Sequence, residues 1–248
     1  MRENGILLWG IVEGLKRMTQ VGVSTLDLDE YAESEIRKAG AVPAFKGYRG
    51  YKATLCASVN HEVVHGIPSS RRKLKEGDII SLDLGLKRQG LYSDMAVTVP
   101  VGKVSQEIVE FLRISEEALW KGIAKVIPGN RVGDISHAVQ SHVERNGFSV
   151  VREYVGHGVG RSLHEEPVIP NFGPPRVGPR LEFGMVLAIE PMVNVGGFEV
   201  EVLDDGWTVV TADKKLSAHF EHSVAVSEDG PVVLTLPPEM VAPQRENG

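Results

Sequence analysis

Apolar positions recur at helical spacing through residues 5–20, "GILLWGIVEGLKRMTQ", which predicts an amphipathic helix. A second helix is predicted over "STLDLDEYAESEIRKAG", residues 24–40. It opens on Ser, Thr and Asp, carries Arg37 and Lys38 in its last turn and stops at Gly40. The period then switches to two. "ATLCASVN" reads as a strand, and "GDIISLDLGLKRQGLYSDMAVTVPV" alternates and turns as a β-hairpin. Helical spacing returns in "SQEIVEFLRISEEALWKGIAKV" and "RVGDISHAVQSHVERNG". The remaining runs, "FSVVREYV", "MVLAIEPMV", "FEVEVLDDGWTVV" and "SAHFEHSVAV", are strand-like. The order helix, hairpin, helix, strands predicts an α+β fold. Its sheet is mostly antiparallel, with helices on one face. No stretch rich in Pro, Gly or Ser divides residues 1–248, so a single domain is expected.

Composition narrows the function classes. Of 248 residues, 42% are hydrophobic, enough to build a packed core, and the net charge is −6, which argues against a nucleic-acid partner. Cys56 is the single cysteine, so no internal disulfide forms and a reducing compartment is expected. The apolar stretch Ile6–Val12 is interrupted or flanked by Glu3, Gly10 and Glu13. No run approaches the roughly 18 apolar residues that a membrane span needs. A cytoplasmic protein with no membrane partner is the expectation.

Two motifs raise chemistry and fail their context. "GHGVGR" resembles a dinucleotide-binding loop, but Leu163 stands at the last glycine position and prolines occupy the segment where a helix should follow. Its glycines are expected to let the backbone turn tightly beside a site. "HEVVH", His61 to His65, spells a zinc-protease motif, which needs a helix to bring both histidines to one metal. Val63, Val64 and the "GIP" that follows favour a strand and a turn, and His61 is expected to be a solvated loop residue.

The acids carry more. A hairpin turn centred between Arg88 and Gln89 would set Asp83 directly opposite Asp94, with Cβ atoms about 4.5–5.5 Å apart. A sequence selected only for folding would avoid such a pair inside a run of Ile, Leu and Val. Glu190 ends the apolar run "MVLAIE", and Glu221 lies in "AHFEHSVAV". Four unpaired carboxylates buried together would be prohibitive, and two divalent cations would balance them. Oxygen-rich ligands with one imidazole suit Mn, Fe, Co or Zn, and His157 is the natural imidazole. Such a pair of metals supports hydrolysis. His65 and His164 remain to bind a substrate and its developing oxyanion.

Five segments, "SVNHEVVHGIP", "GDIISLDLGLKRQGLYSD", "EYVGHGVGRSLHEEP", "AIEPMV" and "GWTVVTADKKLSAHFEHSVAV", occur in the order and spacing of the type I methionine aminopeptidases. The chain closely resembles that family from about Met1 to Leu234. The resemblance implies a pita-bread fold, two pseudo-symmetric halves around a curved antiparallel sheet, forming one metallopeptidase catalytic domain over 1–248. It implies Asp83, Asp94, His157, Glu190 and Glu221 as ligands of two divalent metal ions (Co, Mn, Fe, Ni or Zn), with Glu190 also carrying a proton. It implies His65 and His164 as catalytic and substrate-holding residues. It lines the methionine pocket with Phe45, Tyr48, Tyr51, Cys56, His65, Leu163 and Trp207. Leu163 stands where many relatives carry an aromatic residue, which keeps the pocket apolar but changes its fit.

The implied reaction removes the initiator methionine from nascent chains whose second residue is small. Nascent polypeptide N-termini are the expected partners, with transient ribosome contact and a monomeric enzyme. Two readings compete. X-Pro aminopeptidases and prolidases share the fold and ligands but usually bring a separate N-terminal domain. A peptide-binding module that has lost its metals would not keep all five ligand positions filled.

Overall fold

The computed structural model describes residues 1–240. Helix α1 spans Arg2–Met18 and α2 spans Thr25–Lys38. The Ser24 hydroxyl accepts from the Asp27 backbone N–H while the Asp27 carboxylate accepts from Ser24 N–H, a reciprocal cap that fixes where α2 begins. Strands β1 (Val42–Pro43), β2 (Leu55–Val59), β3 (Glu62–Val64), β4 (Ile79–Arg88) and β5 (Leu91–Pro100) complete the first half. The second half opens with α3 (Gln106–Ile123) and α4 (Val132–Arg145). Ten short strands follow: β6 (Ser149–Val150), β7 (Gly156–Gly158), β8 (Glu165–Ile169), β9 (Val186–Ile189), β10 (Met192–Asn194), β11 (Val200–Val202), β12 (Val209–Thr211), β13 (Ser217–His219), β14 (Glu221–Ser227) and β15 (Gly230–Val233).

Nine strands form one antiparallel sheet, ordered β1-β4-β5-β14-β9-β7-β8, with β15 added to β14 and β2 to β4. Two three-stranded sheets, β13-β10-β6 and β11-β12-β3, flank it. One face is apolar. Leu82, Leu84 and Leu86 of β4 pack with Leu8, Ile11 and Leu15 of α1 and Leu28 and Ile36 of α2. Leu187, Ile189 and Val224 pack in the same way with Phe111 and Leu119 of α3 and Val139 of α4. Strand side chains alternate, so Asp83, Asp94 and Glu221 point away from these helices into the concave side. This is the α+β, pita-bread arrangement with helices covering the sheet.

The hairpin register differs from the expected one. Arg88 pairs with Leu91, so the turn is centred between Gln89 and Gly90, which have φ of 52° and 79°. A two-residue hairpin loop with two positive φ values matches strand twist, and glycine fits its second position. Asp83 therefore faces Ala96 and Asp94 faces Gly85. The aspartates are diagonal neighbours. A two-residue shift leaves both on the same face, because the side-chain period is two.

Other strand expectations also shorten or split. In "FSVVREYV" only Ser149–Val150 pairs. "MVLAIEPMV" breaks at Glu190–Pro191, with β9 in the large sheet and β10 in a flanking one. "SAHFEHSVAV" breaks in the same way at Phe220. "HEVVH" is a strand, not a helix: His61 precedes β3, half-buried rather than solvated, and His65 follows it.

Candidate metal centre and active site

Three strands of the large sheet and the two breaks deliver the acids to one point. Asp94 comes from β5, Asp83 from β4 and Glu221 from the first residue of β14, which pairs with Ala96. Glu190 stands where β9 ends, and His157 is paired with Ala188 in β7. Ligand atoms of Asp94, His157 and Glu221 lie within 4.8 Å of one another. His157 Nε2 is 3.4 Å from Glu190 Oε1. His157 Nδ1 is 2.8 Å from the Gly158 carbonyl. Donation there places the proton on Nδ1 and leaves the Nε2 lone pair facing the acids.

The glycines beside His157 act by closeness, not by turning. Gly156, Gly158 and Gly160 all lack positive φ. A Cβ on Gly156 would meet the Ala188 carbonyl oxygen at 2.4 Å, and one on Gly158 would meet that of Glu166 at 2.3 Å. His157 can sit this deep because its neighbours have no side chain.

Four acids gathered in one buried place must share protons or a cation. Burial pushes the Asp94 carboxyl up to about 7. Burial, then the Asp94 charge, raises Asp83 well above the carboxylate range. Burial followed by the neighbouring acids does the same to Glu190 and Glu221. Asp83 Oδ1 and Glu221 Oε1 are sealed from water and have no hydrogen-bond partner among the described residues. Buried acceptors are almost always satisfied, so these two imply a missing partner. Carboxylates with one neutral imidazole fit a divalent cation from Mn to Zn.

The acids floor a cavity of about 290 Å³ walled by aromatic and apolar side chains together with Arg49, His65, Glu153 and His164. Every residue singled out in the sequence lines it: Phe45, Tyr48, Tyr51, Cys56, His65, Asp83, Asp94, His157, Leu163, His164, Glu190, Trp207 and Glu221. Cys56 of β2 faces Asp83 in register. The buried Asp29 carboxylate of α2 accepts from Thr54 and Leu55 N–H, both at 2.8 Å, and so anchors the aromatic loop that precedes β2. The Tyr51 hydroxyl lies 3.0 Å from the Leu55 carbonyl, and its ring meets Trp207 edge-on at 5.1 Å. Asp205 accepts from Trp207 and Thr208 N–H, which fixes the turn carrying the indole.

Two histidines stand at the cavity wall. His65 has φ of 59°, a left-handed conformation that side chains rarely adopt and that is concentrated at functional sites. Gly66 follows because a Cβ there would meet the Ala57 carbonyl oxygen at 2.5 Å. Burial lowers His65 to about 4. His164 lies at the mouth, its Nδ1 2.8 Å from the Tyr48 hydroxyl and its ring 4.2 Å from that of His157. Desolvation, then the neighbouring His157, lowers it to about 4. Both are neutral donors or acceptors at pH 7.

Sequence reasoning missed several groups, Arg49 and Glu153 of the cavity lining among them. Tyr154 lines the cavity with its ring 5.5 Å from His65, edge-on, and Met192 forms part of the apolar wall. His219 lies behind Glu190, its Nε2 3.4 Å from Glu190 Oε2. Its position two residues before Glu221 in an alternating run was the available signal.

Comparison with known proteins finds relatives along nearly the whole chain. The metallopeptidase family M24 profile matches residues 1–228. Methionine aminopeptidase 1 of Bacillus subtilis is 54% identical over 95% of the chain and 94% of that relative. A crystal structure of methionine aminopeptidase from Thermotoga maritima superposes with a TM-score of 0.94 at 46% identity, covering 96% of this chain and 95% of that one. A prolidase from Pyrococcus furiosus shares the fold alone, at 22% identity and a TM-score of 0.77, with 62% of its length covered. The chain belongs to metallopeptidase family M24, in its methionine aminopeptidase branch.

Proposed function

We propose that the protein is a metal-dependent aminopeptidase that removes the initiator methionine from nascent polypeptides with a small second residue. The observation that carries this reading is the pair of partnerless buried oxygens, Asp83 Oδ1 and Glu221 Oε1, beneath an aromatic-lined cavity. Family membership makes the chain a hydrolase that uses divalent metal.

Asp83, Asp94, His157, Glu190 and Glu221 would hold two divalent ions, since two dications balance four carboxylates. Ions held there would activate a water as the nucleophile and would polarise the scissile carbonyl. Phe45, Tyr51, Cys56, Leu163 and Trp207 enclose the methionine side chain, whose flexible thioether packs well on aromatic edges. His65 and His164, both neutral, donate hydrogen bonds to the substrate carbonyl and its developing oxyanion. Glu190 takes the proton of the attacking water and delivers it to the departing amine. The closed apolar end selects the first residue.

The test is methionine release from Met-Ala-Ser by metal-stripped protein, before and after Mn or Co is added, with an X-Pro peptide in parallel. Metal-dependent release from Met-Ala-Ser is expected. Cleavage of the X-Pro peptide alone would move the protein to the prolidase side of the family. Cleavage of neither, with any divalent ion, would overturn the catalytic reading.

A further inference from the structure

The Glu190 carboxylate stands between two imidazoles. Its Oε1 is 3.4 Å from His157 Nε2, and its Oε2 is 3.4 Å from His219 Nε2. His157 already has a role. His219 has none, although it is 1% exposed and neither of its ring nitrogens has a hydrogen-bond partner among the described residues. A ring with two polar atoms sealed from water opposes folding unless something pairs with it. An aliphatic side chain of similar size would serve the core better.

The backbone beneath the ring is clamped. The Thr98 hydroxyl accepts from His219 N–H at 2.8 Å and donates to the His219 carbonyl at 2.9 Å. The Ser81 hydroxyl lies 2.8 Å behind it. His219 pairs in register with Met192, two residues after Glu190. Phe220 N–H donates to the Pro191 carbonyl, so the two points where the chain changes sheets are tied together. Ring and carboxylate are thus set against each other by the same pair of strands.

We propose that His219 is a positioning residue for the metal centre: its Nε2–H holds Glu190 Oε2, so that Oε1 is presented beside His157 Nε2. A rotation of a few tenths of an ångström turns the present 3.4 Å approach into a full hydrogen bond. Residues that orient metal ligands in this way typically contribute about 10–100-fold to metal affinity or activity. The inference rests on the proposed metal-centre reading and is separable from it by experiment.

The experiment titrates Mn into metal-stripped protein by calorimetry, for the wild type, His219→Leu and His219→Gln. Wild-type protein that takes up no divalent ion would defeat the metal-centre reading itself. Given wild-type binding, His219→Leu is expected to weaken Mn affinity about 10–100-fold and to lower kcat with little change in KM. Melting of its metal-free form is expected to be unchanged or higher, because the sealed Nδ1 is gone. His219→Gln, whose amide N–H reaches where Nε2 does, is expected to restore most of the affinity. His219→Leu with wild-type affinity would overturn the proposal, and so would a Gln variant as weak as the Leu variant. Should the Leu variant not fold, ¹⁵N NMR of zinc-loaded wild type decides. A protonated, hydrogen-bonded Nε2 on His219 is expected, and a bare Nε2 would overturn the assignment.

Discussion

His164 illustrates how a single side chain acquires a job from its neighbours. The Tyr48 hydroxyl sits 2.8 Å from Nδ1. A phenol donating there fixes the tautomer with the proton on Nε2, and the lowered pKa of about 4 keeps the ring neutral. A neutral donor fixed in place contributes most where charge develops, in the transition state. His164→Ala is therefore expected to lower kcat more than it raises KM in steady-state kinetics. A change confined to KM would leave it a binding residue only. Asp94 makes a different demand. Its ligand atom is grouped with those of His157 and Glu221, so Asp94→Ala should abolish turnover and sharply weaken Mn binding. Normal activity in that variant would remove Asp94 from the centre. At this scale the gathering of the acids was legible in the sequence, because like charges set close together inside apolar strands repel unless something balances them. For His219 it offered only the spacing to Glu221, because the burial of that ring depends on where two strands change sheets.

Elements turn such residues into a site, and here the reading was mixed. Ser24, Asp27 and Gly40 marked α2 through local chemistry, and α3 and α4 followed their periodicity. The hairpin face was legible while its register was not, since the turn type depends on where glycine meets positive φ. The breaks at Pro191 and Phe220 were hidden inside continuous apolar runs, because a strand that changes sheets stays buried throughout. The "GHGVG" strand was misjudged for a related reason: closeness to Ala188 and Glu166 comes from strands distant in sequence. That closeness predicts an asymmetry. Gly158→Ala would press a Cβ to within 2.3 Å of a backbone oxygen, and backbone cannot easily move. Overpacking of this kind costs about 1–3 kcal/mol, and the shift would displace His157. Gly160→Ala meets only the end of the Glu165 side chain, at 3.0 Å, which can swing aside. Thermal melts and Mn affinity of the two variants should separate clearly. Equal behaviour would show that crowding at Gly158 does not set the depth of His157.

For the molecule as a whole, the centre is a store of unfavourable charge that metal relieves. Folding raises the Asp94 pKa from the ordinary value of about 3.9 to about 7, and burial raises Asp83, Glu190 and Glu221 in the same direction. A group shifted upward favours the fold while it is protonated, and that contribution is lost as pH rises through its folded value. The buried histidines act with the opposite sign. Burial lowers His65 to about 4 and His219 and His222 to about 3, so their penalty enters only as pH falls below the ordinary histidine value of about 6.5. Between about pH 7 and 8.5 the histidines are nearly silent in both states, and the acids respond together with the Cys56 thiol, which burial raises in the same direction. Calorimetric melting of EDTA-treated protein should therefore show Tm falling across that window. A saturating divalent ion binds the native state and competes with protons for the same oxygens, so its stabilisation should grow over the same range. A Tm that instead rose from pH 7 to 8.5 without metal would mean that the four carboxylates are already charged and satisfied by the protein. The cavity floor would then have no need of cations.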